Sequence, residues 1–471
     1  MSICDSHREK PRLWTRRDML TRCGSGMGML ALATLFKDQG LFAAPTARKA
    51  VAQHIPRLTP RANAVIWLFQ EGGPSGFDLF DPKPQLTKSD GQRLPGVDPF
   101  FGNPGPLMGT PFKFKQHGQS GTWVSHVMPH IAECVDDICL IKSCHCESNS
   151  HAPAMYQMNT GYTRPGFPSA GAWMTYGLGS DNRDLPGFVV LPKLNGTKGG
   201  LLNWGPGFLP GENQGTMFYS GDKPILNLDR PQGVSVEQQR SQLDFIRKMN
   251  QRHLDANPLE SDLETRINSF ELAFRMQFEA NQVVDLKGET KETRELYGIN
   301  DEETEDYGTK LLLARRLVER GVRLVQAYPA EEWDAHSNLK NNHETLCRLT
   351  DKPVAGLLKD LKRRGLLDTT LVIWGGEFGR LPVSEGNRGR DHNPHGFLMW
   401  MAGGGVRGGM SYGETDEIGY HAIENPVSVP DIHATILHLL GLNHEELTYR
   451  HNGRDFRLTD VSGNVITPIL A

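Results

Sequence analysis

The chain has 471 residues, a formal net charge of −4 at pH 7, 38% hydrophobic residues and 23% charged ones. That balance is globular and argues against disorder, and no sustained basic stretch interleaved with aromatics points to nucleic acid as a partner. The 51 glycines and 30 prolines imply long, irregular but structured loops between regular elements.

The first predicted element is a leader. Residues 1–44 pair Arg16 and Arg17 with a modestly apolar run, and "LFAAPTA" then offers small residues for cleavage. This resembles a twin-arginine export signal, read by the export machinery through its arginine pair and later removed. The expectation is an exported protein, periplasmic or extracellular. No other apolar run reaches the ~18 residues that span a bilayer. Cys4 and Cys23 belong to the leader. The five that remain, Cys134, Cys139, Cys144, Cys146 and Cys347, do not suggest a disulfide-built scaffold. "CHCES" has no second Cys/His pair at finger spacing and reads as a strand end.

The main domain is predicted over residues 60–465 and opens with a buried strand, "AVIWLF" at 64–69. A helix around "SHVMPHIAECV" leads to a second strand, "DDICLIKS" at 136–143. "GFVVLP" at 187–192 is a third, followed by a Gly/Asn-rich excursion to about residue 225. Apolar residues three and four apart then predict a charged helical insertion over 235–300, covering the sheet. After it come the helix "YGTKLLLARRLVERG", the strand "VRLVQAY", the helix "TLCRLTDKPVAGLLKDLKRRG" and the strands "TTLVIWGGE" and "FLMWMAGGG". A last helix is "SVPDIHATILHLLGL". Wholly apolar strands alternating with helices imply an α/β fold, a mostly parallel sheet with helices on both faces.

In such sheets, ligands gather beyond the carboxyl ends of the strands. Glu71 and Asp78 follow the first strand, and Ser148, Ser150 and His151 follow the second. Asp334 and His336 follow "VRLVQAY", while Glu377, Asp391, His392 and His395 follow "TTLVIWG". Imidazole and carboxylate at four strand ends point to a divalent metal centre, with zinc the first expectation and manganese, iron or calcium the alternatives. One ion or two is left open. Among nearby basic residues, Lys142, Arg164, Arg380, Arg388 and Arg390, Arg380 is best placed to grip an anion with its guanidinium.

Two helices carry a resemblance. "SVPDIHATILHLLGL" and "HAPAMYQMNTG" are similar to segments of sulfatases and their alkaline-phosphatase-like relatives. "GGPSGFDLFDPKP", "WDAHSN", "GGEFGR", "GRDHNPHGF", "MAGGGVRGG" and "NGRDFRLTD" more closely resemble a large bacterial family of exported proteins. That is the domain-of-unknown-function family DUF1501 of the alkaline phosphatase superfamily.

The resemblance implies an alkaline-phosphatase-like fold and a metal-dependent hydrolase acting on phosphate or sulfate esters, small or glycan-borne. Asp334 and His336 match its aspartate–histidine ligand pair, and His392 or His395 its late histidine. Glu377 stands where an aspartate is usual, with Phe378 in place of the histidine that follows, and Asp78 is offered as an early ligand. The nucleophile position falls on His151, which has no hydroxyl. Ser150 or Ser148 after a small shift, or a water activated by the ion, would have to take that part. The rival reading is a non-catalytic metal-containing protein of the envelope that binds glycan.

Overall fold

Strand β1 (Ala64–Phe69) explains the rest of the architecture, because all six of its residues are buried. Alternate side chains of a strand point to opposite faces. Val65, Trp67 and Phe69 enter one core, whereas Ile66 and Leu68 enter the other. A strand apolar on both faces needs helices above and below it. The computed structural model describes residues 58–471 except 101, 220–224, 226, 227, 231 and 257–260. The leader lies outside the described residues.

The other strands of the main sheet are β2 (Ile138–His145), β3 (Phe188–Leu191), β4 (Thr216–Met217) and β5 (Leu324–Ala327). They are joined by β6 (Thr370–Gly375), β7 (Phe397–Ala402), β8 (Met410–Tyr412) and β9 (Val427–Ser428). Among the described residues these nine run in the order β8-β2-β7-β6-β1-β5-β3-β4, with β9 also beside β2. β1 pairs in parallel with β5 and β6, Val65 lying opposite Leu324 and Leu371. The fold is the expected α/β class.

One strand departs from the parallel pattern. β7 is antiparallel to both β6 and β2. The link from β6 to β7, residues 376–396, holds only two two-residue strands, Gly379–Arg380 and His392–Asn393, and no helix. Without a crossover helix the chain cannot return to the far end of the sheet, so it comes back antiparallel beside the strand it left.

On one face pack α1 (His151–Thr160), α2 (Ala170–Leu178) and α7 (Val429–Leu439), through residues such as Met155, Met158, Trp173 and Ile436. On the other lie α5 (Glu305–Glu319) and α6 (Leu339–Arg363), through Leu311, Ala314, Leu357 and Leu361. Over the expected insertion run α3 (Val236–Ala256) and α4 (Ser261–Val284). α4 places Met276, Ala280 and Val283 in the α5/α6 core, while α3 buries no residue. Arg240 of α3 is held by Asp244 on its own helix and by Glu271 on α4.

The helix expected over "SHVMPHIAECV" is shorter than predicted. A small strand ends at Ser125 and a 3-10 helix runs only from Ile131 to Asp137. Pro129 lacks an N–H and disfavours helical geometry in the residue before it. The N–H groups of His130 and Ile131 instead donate to Asp351, each at 2.8 Å. The five described cysteines are all free. No helix among the described residues is long and apolar enough to cross a membrane.

Candidate metal centre

The carboxyl ends of β1, β2, β3, β5 and β6 share one rim with the start of β7, and the segments following them meet there. His151 opens α1, six residues after the end of β2. Asp334 and His336 follow β5, Glu377 follows β6, and His392 precedes β7. Gly72, just past β1, brings the loops within touch. With φ +102°, its missing Cβ would lie 2.5 Å from the Asp334 nitrogen, a gap that only glycine leaves open.

Three imidazoles turn their Nε2 atoms toward one carboxylate. His151 Nε2 is 2.9 Å from Asp334 Oδ2. His336 Nε2 and His392 Nε2 lie 3.0 and 3.3 Å from Asp334 Oδ1, and 2.9 Å from each other. Each ring is fixed from behind through Nδ1. His151 Nδ1 meets Glu377 Oε1 at 2.6 Å, His336 Nδ1 meets Glu385 Oε2 at 2.6 Å, and His392 Nδ1 donates to the Asn149 carbonyl at 2.6 Å. Metal-ligating histidines are oriented in this way, with the rear nitrogen on an oxygen and the front one offered to the ion.

The donor set fits a transition-metal ion. Tetrahedral zinc at ~2.0 Å from its ligands holds them about 3.3 Å apart, and here one ligand atom from each of the four residues lies within 4.8 Å of the others. Three imidazole nitrogens and one carboxylate suit zinc, manganese or iron better than calcium, which prefers oxygen throughout.

The electrostatics are those of a tightly coupled cluster. Burial disfavours the Asp334 carboxylate, but hydrogen bonds from His151 and His336 and the charge of Arg380 outweigh it, holding its pKa well below the usual range. Burial lowers the pKa of His151, yet Asp334 and Glu377 raise it on balance. Asp334 and Glu385 likewise raise that of His336. His392 is different. Burial, with Arg380 and His151 nearby, outweighs the pull of the Asp334 carboxylate and brings it down to about 4, so the ring is neutral at pH 7.

Of the residues singled out in the sequence, the structure brings together His151, Asp334, His336 and His392, whose ligand atoms all lie within 4.8 Å of one another. Glu377 stands behind His151 instead of facing the centre. It is fully buried and accepts the Gly72 N–H at 2.9 Å. Asp391 accepts the N–H of Phe100 at 2.6 Å and of His392 at 2.7 Å, and its Oδ1 is 3.8 Å from His336 Nδ1, so it too stands behind a histidine.

Asp78 and His395 do not reach the cluster. Asp78 is paired with buried Arg390 at 2.9 Å and accepts the Ser75 hydroxyl at 2.6 Å. His395 packs against the rings of Tyr420 and His421, with centroids 5.6 and 5.2 Å away. Ser150 is the N-cap residue of α1, half-buried, and its side chain makes no capping bond.

Arg380 is placed otherwise than the sequence suggested. It is buried, and it donates to the Gly72, Gly73 and Arg390 carbonyls and, at 2.8 Å, to Asp334 Oδ1. Its guanidinium is a clamp that sets Asp334, with its donors committed to the protein.

The half-exposed cation is Lys198, which the sequence reading passed over. Its Nζ lies 2.8 Å from Asp334 Oδ2 and 2.9 Å from Glu332 Oε2. The strand-end rule would have found it, since Lys193 and Lys198 lie in the loop after β3. Glu385 and Asn149 carried no such signal, being loop residues that act only from behind a ring.

The family model DUF1501, described as a protein of unknown function, matches residues 62–470. No curated protein matches the chain. Solved structures similar in chain course include PsFucS1 sulfatase from Pseudoalteromonas sp., at 13% identity and TM-score 0.35, covering 90% of this chain and 73% of that one. Ps i-CgsB in complex with k-i-k-neocarrahexaose is similar at 12% identity and TM-score 0.35, covering 83% and 72%. The lipoteichoic acid synthase LtaP from Listeria monocytogenes is similar at 9% and 0.32, covering 86% and 78%.

Proposed function

The chain belongs to the DUF1501 family, and from that premise and the geometry of its centre we propose that it is an exported, metal-dependent hydrolase of phosphate or sulfate esters. One observation carries this reading. Three rear-anchored imidazoles direct Nε2 at the single carboxylate of Asp334. His151, Asp334, His336 and His392 are the residues that would hold the ion. When bound, it would supply Lewis-acid polarisation of an ester oxygen.

The chain's own groups do the rest. Lys198, with its side chain 31% exposed, offers N–H donors to an anionic ester oxygen at the rim. The N-terminus of α1 sits at the same place, and its partial positive charge favours an anion there. Glu377 holds a proton on His151 Nδ1, which fixes the ring and its reactive nitrogen. Ser150 is the hydroxyl nearest in sequence to the position where a nucleophile is expected.

The test is an assay of purified protein on phosphate monoesters, phosphodiesters and aryl sulfates, before and after chelation. Turnover lost with chelator and restored by zinc or manganese supports the reading. No turnover on any ester by the metal-loaded protein overturns it in favour of a binding protein. Ser148→Ala with Ser150→Ala separates attack by serine, which the pair abolishes, from attack by water, which it leaves.

A further inference from the structure

We propose that the outer face of α3 docks on a lipid surface that carries anionic headgroups. Phe245, Ile246 and Met249 would enter its apolar boundary, and Lys248 and Arg252 would meet the headgroups. α3 buries none of its 21 residues, so packing within the domain accounts for little of it. It is fastened along one side. Arg240 bridges Asp244 at 2.6 Å and Glu271 of α4 at 2.7 Å, and its guanidinium carbon lies 5.2 Å over the Phe274 ring of α4.

That fastening fixes which side faces out. A helix advances about 100° per residue, so Met249 stands about 180° round from Arg240. Phe245 and Ile246 flank Met249, and the three are 65% (Phe245), 38% (Ile246) and 49% (Met249) exposed. Arg252 shares this outward half, with Lys248 at its border. The carboxylates of the helix, Glu237, Asp244 and Asp255, all lie about 120–140° away from Met249. Asp244 is already taken by Arg240 and Arg247. Among the described residues, neither Lys248 nor Arg252 forms an ion pair.

Charge and shape select the occupant. Exposed apolar residues with unpaired cations beside them and no acid among them are the pattern of a helix lying in the plane of a bilayer interface. Long basic side chains there reach back to the headgroups while their stems stay in apolar surroundings. A second copy of the chain fits less well, because a two-fold pairing of this face brings Lys248 and Arg252 toward their own counterparts with no carboxylate between them. A helical peptide partner wants a groove, whereas the outer side of a single helix is convex.

The experiment is co-sedimentation of the full mature chain with vesicles of phosphatidylcholine, alone or mixed with phosphatidylglycerol, at low and high salt. Binding to the mixed vesicles is expected to fall with salt and to exceed binding to phosphatidylcholine alone by about tenfold or more. Equal binding to both kinds of vesicle, or to neither, overturns the proposal. Lys248→Gln with Arg252→Gln is expected to weaken binding about 30-fold, and Phe245→Ser with Met249→Ser about tenfold or more. Because α3 buries no residue, both double variants should keep the melting temperature of the parent chain. Unchanged vesicle binding by either folded variant removes this face as the contact. Sedimentation without lipid reads the rival occupant. A dimer that Phe245→Ser with Met249→Ser dissociates, in a chain that leaves anionic vesicles alone, overturns the proposal and assigns the face to a second copy.

Discussion

The Nε2 atoms of His336 and His392 face one another at 2.9 Å, each ring being pinned from behind by an oxygen 2.6 Å from its Nδ1. His392 donates through Nδ1, and its low pKa leaves an unprotonated Nε2 at pH 7. The contact is therefore held together either by a proton on His336 or by a cation that takes both nitrogens. The rear anchors decide how well the second arrangement forms.

Glu377→Gln and Glu385→Gln are each expected to weaken zinc binding by about 10- to 100-fold, the usual cost of removing a partner behind a metal-bound histidine. Competition against a chromophoric chelator measures it. Affinities equal to the unsubstituted chain would mean that the rings do not ligate.

Asp78 and Arg390 are expected to matter for stability alone. Arg390 contacts both oxygens of Asp78, donates to the Met108 carbonyl at 2.8 Å and lies 4.7 Å over the Phe77 ring. Arg390→Met leaves a buried carboxylate unpaired and should lower the unfolding free energy by about 3–5 kcal/mol. Adding Asp78→Leu should recover part of that loss in urea titrations. Both chains should keep their zinc, and loss of metal from folded Asp78→Leu would return Asp78 to the ligand set.

Stability is expected to fall as pH drops from about 6.5 to 4. Burial pushes the pKa of His433 down to about 4 from the ordinary imidazole value of 6.5, with its Nε2 donating to the Met158 carbonyl at 2.8 Å. The unfolded chain therefore takes up a proton in this window that the folded chain refuses. The stabilisation is whole above pH 6.5 and lost toward pH 4, by on the order of 3 kcal/mol. His433→Gln should flatten the slope of melting temperature against pH there. An unaltered slope would exclude His433 as a source of the dependence.

The leader supports a separate expectation. Arg16→Lys with Arg17→Lys should leave the full-length chain in the cytoplasm when it is expressed with its native leader, as cell fractionation reads. Undiminished export of the variant would refute the twin-arginine assignment.

Much of the sheet could be read from runs such as "AVIWLF" and "TTLVIWGGE", because strands buried on both faces admit few polar residues. The reversal of β7 could not be read from "FLMWMAGGG" alone, since an apolar strand looks the same in either direction. It followed from the absence of a helix between Gly375 and Phe397. Asp334 and His336 were legible as strand-end residues. Whether Glu377 faces the centre or stands behind His151 depends on side-chain direction in an irregular loop, which no periodicity encodes. Arg380 misled for a related reason, as a guanidinium beside an anion site reads alike whether it serves a substrate or three carbonyl groups of the protein.

The link between β6 and β7 is at once one side of the candidate metal centre, through His392, and the turn of a sheet hairpin. Gly389 within it lies so close to the His336 carbonyl carbon that an added Cβ would stand 2.1 Å away. New termini or inserted domains placed there would disturb the candidate metal centre and strand pairing together, whereas the outer helix α3, which buries no residue, offers a splice point with less packing to lose. Variation in this architecture should accordingly accumulate at the periphery, with residues 376–396 inherited as a block.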